Sequence, residues 1–139
     1  MADVMPVEKG DFLTKPRVLV VEDEVLIRLW MADDLRRAGF TVVEASNVDE
    51  AVAVLGANTD IDILLTDINM PGQLNGIDLA RWVRQNAPHI RVAIASANVE
   101  PEMRNEFDAI FRKPVHMADV IAKLRQLLPP KEQSGPRDR

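Results

Sequence analysis

LLTDINMPG, residues 64–72, sets an apolar run directly against a carboxylate and then a turn signal. Ile61 and residues 63–65, interrupted by Asp62, have the pattern of a buried strand. Asp67 follows almost at once, and Pro71-Gly72 turns the chain. An aspartate at the mouth of a hydrophobic strand is usually a turn or helix cap. The alternative is a carboxylate left at an open position so that it can react, and the rest of the chain must decide between them.

Similar short apolar runs, several of them β-branched, occur at 18–21, 41–45, 61–66, 92–95 and 109–111. A sheet buried on both faces requires such runs. Between them lie helical patterns. Residues 24–38 carry Ile27, Trp30, Met31, Leu35 and Ala38 at core spacing and stop at Gly39. Asn47 and Glu50 form the pattern of a capping box opening a helix over 48–56. Residues 76–87 place Ile77, Ala80 and Val83 on one face before Pro88, and 116–128 do the same with Val120, Ile121, Leu124 and Leu128. Only 97–108 separate the fourth and fifth strands, which leaves room for about two turns over 100–107, with Pro101 at the first helical position. Five strands alternating with five helices predict an α/β fold: a doubly wound, five-stranded parallel sheet with helices on both faces and a short fourth helix.

Composition narrows the classes. The 139 residues fit one domain, with 47% hydrophobic and 28% charged residues, as in ordinary globular proteins. A formal charge of −5 gives no general basic footprint, so no direct nucleic-acid partner is expected. The absence of cysteine fits a reducing cytoplasm. The start of the chain has no signal-peptide pattern, and no run approaches the ~18 apolar residues of a membrane span. Residues 1–15 read as a flexible lead-in, 16–128 as the domain, and 129–139, rich in breakers, as a disordered tail.

Ligands in such sheets sit at the carboxyl ends of the strands, near the point where strand order reverses. Glu22-Asp23 end the first strand, Asp67 the third, Ser96 the fourth and Lys113-Pro114 the fifth. Three gathered carboxylates need a counter-charge, and Mg²⁺, a hard ion that keeps several waters, suits so small a set. A carboxylate beside such an ion, an ammonium and a hydroxyl suits phosphoryl transfer to aspartate. Singly, each residue has a plainer use. Glu22-Asp23 can cap the first helix, Lys113 can be a solvated surface residue, and Ser96 alone says almost nothing. His89 and His116 lack ligand spacing.

VLVVEDE, LLTDINMPG, IASA and FRKP, in that order and each at a strand end, resemble the receiver domain of two-component response regulators over residues 16–128. The resemblance implies a flavodoxin-like strand order 2-1-3-4-5. It implies Asp67 as phosphoacceptor, charged by a sensor histidine kinase or a histidine phosphotransferase. It further implies Asp23 and Asp67 as Mg²⁺ ligands, Glu22 acting through water, and the Asn69 backbone carbonyl completing the set. Lys113 would pair with the phosphoryl group, Ser96 would swing toward it, and Asn69 and Asn98 would tune dephosphorylation. Such a chain catalyses only its own phosphorylation and dephosphorylation.

Three features depart from the family pattern. The loop after Asp67 reads MPGQLNG, with its glycine one residue later than is common. The position three before Lys113, usually aromatic, is Ile110, with Phe107 and Phe111 nearby. The segment between Ser96 and Lys113 is short, so its helix is a candidate to order only on phosphorylation. Val25, Leu26 and Leu29 lie off the core stripe of the first helix, as Trp82 does on the third; single apolar residues are ordinary on a surface, and where they mark a partner or homodimer surface the first helix is the first choice. With no further domain expected after residue 128, output passes through contacts with an effector protein. Three other readings stand beside this one. A phosphate sink or relay intermediate shares the chemistry. An aspartyl-phosphate hydrolase would need a second carboxylate where Asn69 stands. A flavodoxin-like cofactor binder would need a glycine-rich loop where EDEVLIR stands.

Overall fold

The computed structural model describes residues 15–57 and 60–129. The expectations for the two ends therefore fall largely outside the described residues. Five strands, β1 (Arg17–Val21), β2 (Thr41–Ala45), β3 (Ile63–Asp67), β4 (Arg91–Ser96) and β5 (Ala109–Arg112), alternate with five helices. These are α1 (Val25–Arg37), α2 (Val48–Ala57), α3 (Gly76–Asn86), α4 (Met103–Glu106) and α5 (Met117–Leu127). Every strand pair is parallel, and the order is β2-β1-β3-β4-β5. The chain steps outward from β1 to β2, then crosses back to β3. That reversal puts the carboxyl ends of β1 and β3 side by side, where such sheets hold ligands.

Alternation along the strands divides the core in two. Val18, Val20, Ile63, Leu65 and Ala93 pack toward α1 and α5, against Met31, Ala32, Leu35, Met117, Val120 and Leu124. Leu19, Val21, Leu64, Val92 and Ile94 pack toward α2 and α3, against Ala51, Leu79, Ala80 and Val83. All five residues of β3 are buried, Asp67 included. Among the described residues no helix is long and apolar enough to cross a membrane.

Several elements differ from the sequence expectation. Trp30 is not on the core face of α1; it is 46% exposed, with Val25, Leu26 and Leu29 also exposed, and Ala32 takes its place inside. The third strand begins at Ile63, and Asp62 before it bonds Arg17 twice, its amide donating to the Arg17 carbonyl and its carboxylate accepting from the Arg17 amide, both at 2.9 Å. At α2, Asn47 accepts from the Glu50 amide at 2.8 Å, but the Glu50 carboxylate reaches past Asn47 to the amide and hydroxyl of Ser46. The fully reciprocal capping box belongs to α3, between Asn75 and Asp78.

The fourth helix is one turn, not two, and Pro101 precedes it. Amides of residues 103–105 bond to carbonyls three residues back, so tight turns occupy the first half of the segment. None of the four helical residues is buried. Phe107, just beyond, anchors the segment in the core, and Glu106 forms a two-pronged ion pair with Arg81 of α3 at 2.6 and 3.1 Å. Ile110 is half-buried against the same apolar cluster as Phe107.

Gly76 explains how the longer loop after β3 is absorbed. Its amide donates to the Ile68 carbonyl at 2.8 Å, and a Cβ there would collide with the Asp67 carbonyl oxygen and lie 2.9 Å from the Ile68 Cα. The glycine that touches the strand end is thus kept. The added residue is taken up before it, where Gly72 adopts φ +116° and Leu74 stands 50% exposed.

Gly76→Ala is expected to lower stability by about 1–3 kcal/mol, since the colliding atoms are backbone; urea denaturation measures it. Arg81 holds the Glu106 carboxyl below its usual value of 4.5. The pair's contribution is complete above that value and is lost as pH falls through the lowered one. Amide protection of residues 103–107, corrected for intrinsic exchange, should therefore decline in acid. In Glu106→Gln it should be lower throughout and lack this step.

Candidate functional site

Four strand ends meet on one rim. The Asp67 carboxylate closes β3 at 7% exposure, and Lys113, just after β5, donates to its Oδ2 at 3.0 Å. The same ammonium lies 3.3 Å from Oε1 of Glu22, which follows β1 and is 2% exposed. Asp23 completes an acidic trio in which one oxygen of each of Glu22, Asp23 and Asp67 lies within 4.8 Å of the others. The aspartate that the sequence leaves bare is thus enclosed and paired.

The register explains the convergence. Val21 aligns with Thr66, Asp67 with Ala95, and Ser96 with Arg112, so each polar residue leaves the sheet at nearly the same level. Lys113 joins them because its amide continues the ladder to the Ser96 carbonyl at 2.9 Å. Its bond to Pro114 is cis.

The electrostatics are unbalanced. Three carboxylates gather near the Lys113 ammonium, and like charges within 4.8 Å of one another repel by on the order of 3 kcal/mol or more per pair at an effective dielectric of about 20. Burial pushes the Glu22 carboxyl above its usual value, and the Asp67 charge adds to this; the Glu24 amide, donating at 3.1 Å, and Lys113 pull the other way. Burial pulls the Lys113 ammonium down, but the hydrogen bond and charge of Asp67, with those of Glu22, outweigh it and leave it raised. A hard, oxygen-seeking divalent cation fits this donor set: three clustered carboxylates with too little positive charge among them.

Of the residues picked out from the sequence, Glu22, Asp23, Asp67 and Lys113 come together directly. Ser96 is buried at the same rim, but its hydroxyl donates to the Asn98 carbonyl at 2.8 Å and accepts from the Asn98 amide at 3.1 Å. Asn69 and Asn98 line an open groove with Ser96, Arg81 and Glu106. The helix-cap reading of the acidic pair holds in part: the side chain of Glu24 at the α1 N-cap makes no cap bond, but the Glu22 carboxylate accepts from the Glu24 amide at 3.1 Å while it also faces Lys113. His89 and His116 are both exposed.

Two residues near the site, Thr66 and Arg28, were given no role from the sequence, and Gly76 was noted only for its displaced position. Thr66 is buried and donates from Oγ1 to the Asp67 carbonyl at 2.8 Å. Gly76 presses against that same carbonyl. Arg28 donates from Nη1 to the Glu22 carbonyl at 2.9 Å. A hydroxyl beside Asp67 and a base early in α1 were available signals, though each is common.

Comparison with known proteins agrees with this geometry. The family model described as the response regulator receiver domain matches residues 18–125. The transcriptional regulatory protein ResD of Bacillus subtilis is 30% identical over 122 residues, 85% of this chain and 50% of ResD. The receiver protein CpdR of Brucella abortus is 29% identical over 117 residues, 81% of this chain and 96% of CpdR. The chain thus spans about half the length of relatives such as ResD and nearly all of CpdR. A response regulator receiver domain protein from Clostridium thermocellum superposes with a TM-score of 0.73 at 28% identity, covering 80% of this chain and 92% of that one. With the match running from β1 into α5, the chain belongs to the response regulator receiver domain family.

Proposed function

We propose that residues 16–128 work as a phosphorylation-dependent switch of a two-component system, with Asp67 as phosphoacceptor. The observation that carries this reading is the meeting of Asp67 with Lys113, Glu22 and Asp23 at the reversal point of the sheet. Glu22, Asp23 and Asp67, with the Asn69 carbonyl, would hold Mg²⁺. When bound, the cation supplies charge neutralisation for the carboxylates and for the oxygens of a transferring phosphoryl group.

A carboxylate oxygen of Asp67 attacks the phosphorus of a phosphohistidine on a sensor kinase or phosphotransferase. The new O–P bond forms as the N–P bond breaks; the imidazole nitrogen keeps the electron pair and is protonated from water. Lys113 shifts its ammonium from Asp67 Oδ2 to the phosphoryl oxygens. Ser96 gives up the Asn98 carbonyl and donates to the same group. The chain turns over no substrate other than its own acyl phosphate. Phosphorylation changes output only through contacts that differ between the two states, and Lys113 and Ser96 supply them. An effector protein then reads the altered surface.

With acetyl phosphate and Mg²⁺, intact-mass analysis should show one phosphoryl group per chain, absent in Asp67→Ala. Labelling of Lys113→Ala should be slower by about two orders of magnitude, as expected for loss of a group that stabilises the transferring charge. An unlabelled wild type would refute the assignment.

Removing one carboxylate relieves repulsion, so metal-free Asp67→Asn should melt above the wild type. Added Mg²⁺ should then raise the wild-type midpoint more than that of the variant, closing the gap in thermal scans.

A further inference from the structure

Arg28 lies in the first turn of α1 and belongs to neither apolar cluster. Its side chain is only 16% exposed and serves two partners at once. Nη1 donates to the Glu22 carbonyl at 2.9 Å, and Nε donates to Oε1 of Glu44 at 3.2 Å. Glu44 sits on β2, and its other oxygen accepts from Nη2 of Arg36 at 3.2 Å, a nitrogen that also donates to the Val42 carbonyl at 3.1 Å. These bonds make a strut from the edge strand, through Glu44 and the Arg28 guanidinium, to the peptide that joins Glu22 to Asp23.

That peptide is where the acidic loop most needs holding. The Glu22 amide is fixed by the Ala45 carbonyl at 3.0 Å, and the Glu22 carboxylate accepts from the Glu24 amide. Rotation of the peptide between Glu22 and Asp23 would still swing the Asp23 carboxylate relative to its neighbours. A planar guanidinium gripping the carbonyl on one side and Glu44 on the other opposes that rotation; a lysine has no fork with which to hold both. An ion pair between Arg28 and Glu44 alone would suffice to tie α1 to β2. The bond to the Glu22 carbonyl is the part that reaches the site.

We propose that Arg28, braced by Glu44, is a positioning residue that fixes the Glu22–Asp23 peptide and so presets the two carboxylates for a divalent cation. This rests on the acidic trio being a cation site, as argued above. Partners that orient ligands from behind typically change metal affinity by about ten- to a hundredfold when removed.

The test uses the full chain with Mg²⁺ alone as probe. Calorimetric Mg²⁺ affinity, thermal midpoint and metal-free amide exchange at Glu24 are measured for Arg28→Ala, Arg28→Lys and Glu44→Gln. Arg28→Ala should bind Mg²⁺ about tenfold more weakly and lose protection at the Glu24 amide. Arg28→Lys should recover only part of either property, and Glu44→Gln should lie between wild type and Arg28→Ala. Wild-type affinity and Glu24 exchange in Arg28→Ala overturn the proposal, as does a lowered midpoint with both unchanged. If Arg28→Ala does not fold, wild-type affinity in both Arg28→Lys and Glu44→Gln overturns it. A wild type that does not bind Mg²⁺ overturns the cation reading instead, and Glu24 exchange then still decides whether Arg28 holds the loop.

Discussion

The contact of Lys113 with Asp67 and Glu22 is the interaction on which the rest of the rim depends. It draws the end of β5 across β4 to the ends of β3 and β1, and among the described residues Lys113 is the one cation ion-paired with Glu22 and Asp67. Two nearly buried carboxylates without it would each bear an uncompensated burial cost. The ammonium itself retains some solvent access, with 26% of its side chain exposed. It is therefore fixed enough to organise the site and free enough to change partners.

Around that contact the protein spends backbone geometry where side chains would be expected. The Asp67 carbonyl takes the Thr66 hydroxyl and lies hard against Gly76, so the start of α3 is set by the strand end itself. The Glu22 carbonyl is taken by Arg28. The main chain at both Glu22 and Asp67 is thus held from behind, by Arg28 and by Thr66 and Gly76, while both carboxylates reach Lys113.

Most of the fold was legible because its signals are of one kind: short buried runs separated by capped amphipathic segments. The site was legible for the same reason, since its residues sit at strand ends whose order along the chain is visible. Sequence could not orient α1. Val25, Leu26, Leu29, Trp30 and Met31 place apolar groups around most of its circumference, so spacing admits either Trp30 or Ala32 on the core side. The fourth helix was overestimated because a proline-led segment of that length accommodates two turns as readily as tight turns followed by one. Arg28 was missed although a clue was present. Glu44 is the one charged residue of β2, TVVEA, and a partly buried charge in a strand needs a partner.

The docking of α4 has a consequence for how the protein responds to its medium. The helix has no fully buried side chain: Met103 packs only partly against the apolar cluster, the surface pair of Arg81 and Glu106 ties it to α3, and its neighbour Phe107 enters the core. In about 1 M salt the screening length falls to about 3 Å, comparable with the 2.6 Å separation of this exposed pair, while buried apolar contacts are not screened. This one corner of the molecule should therefore loosen in concentrated electrolyte while the sheet beneath it stays intact, making ionic strength a means of moving α4 without altering a single residue.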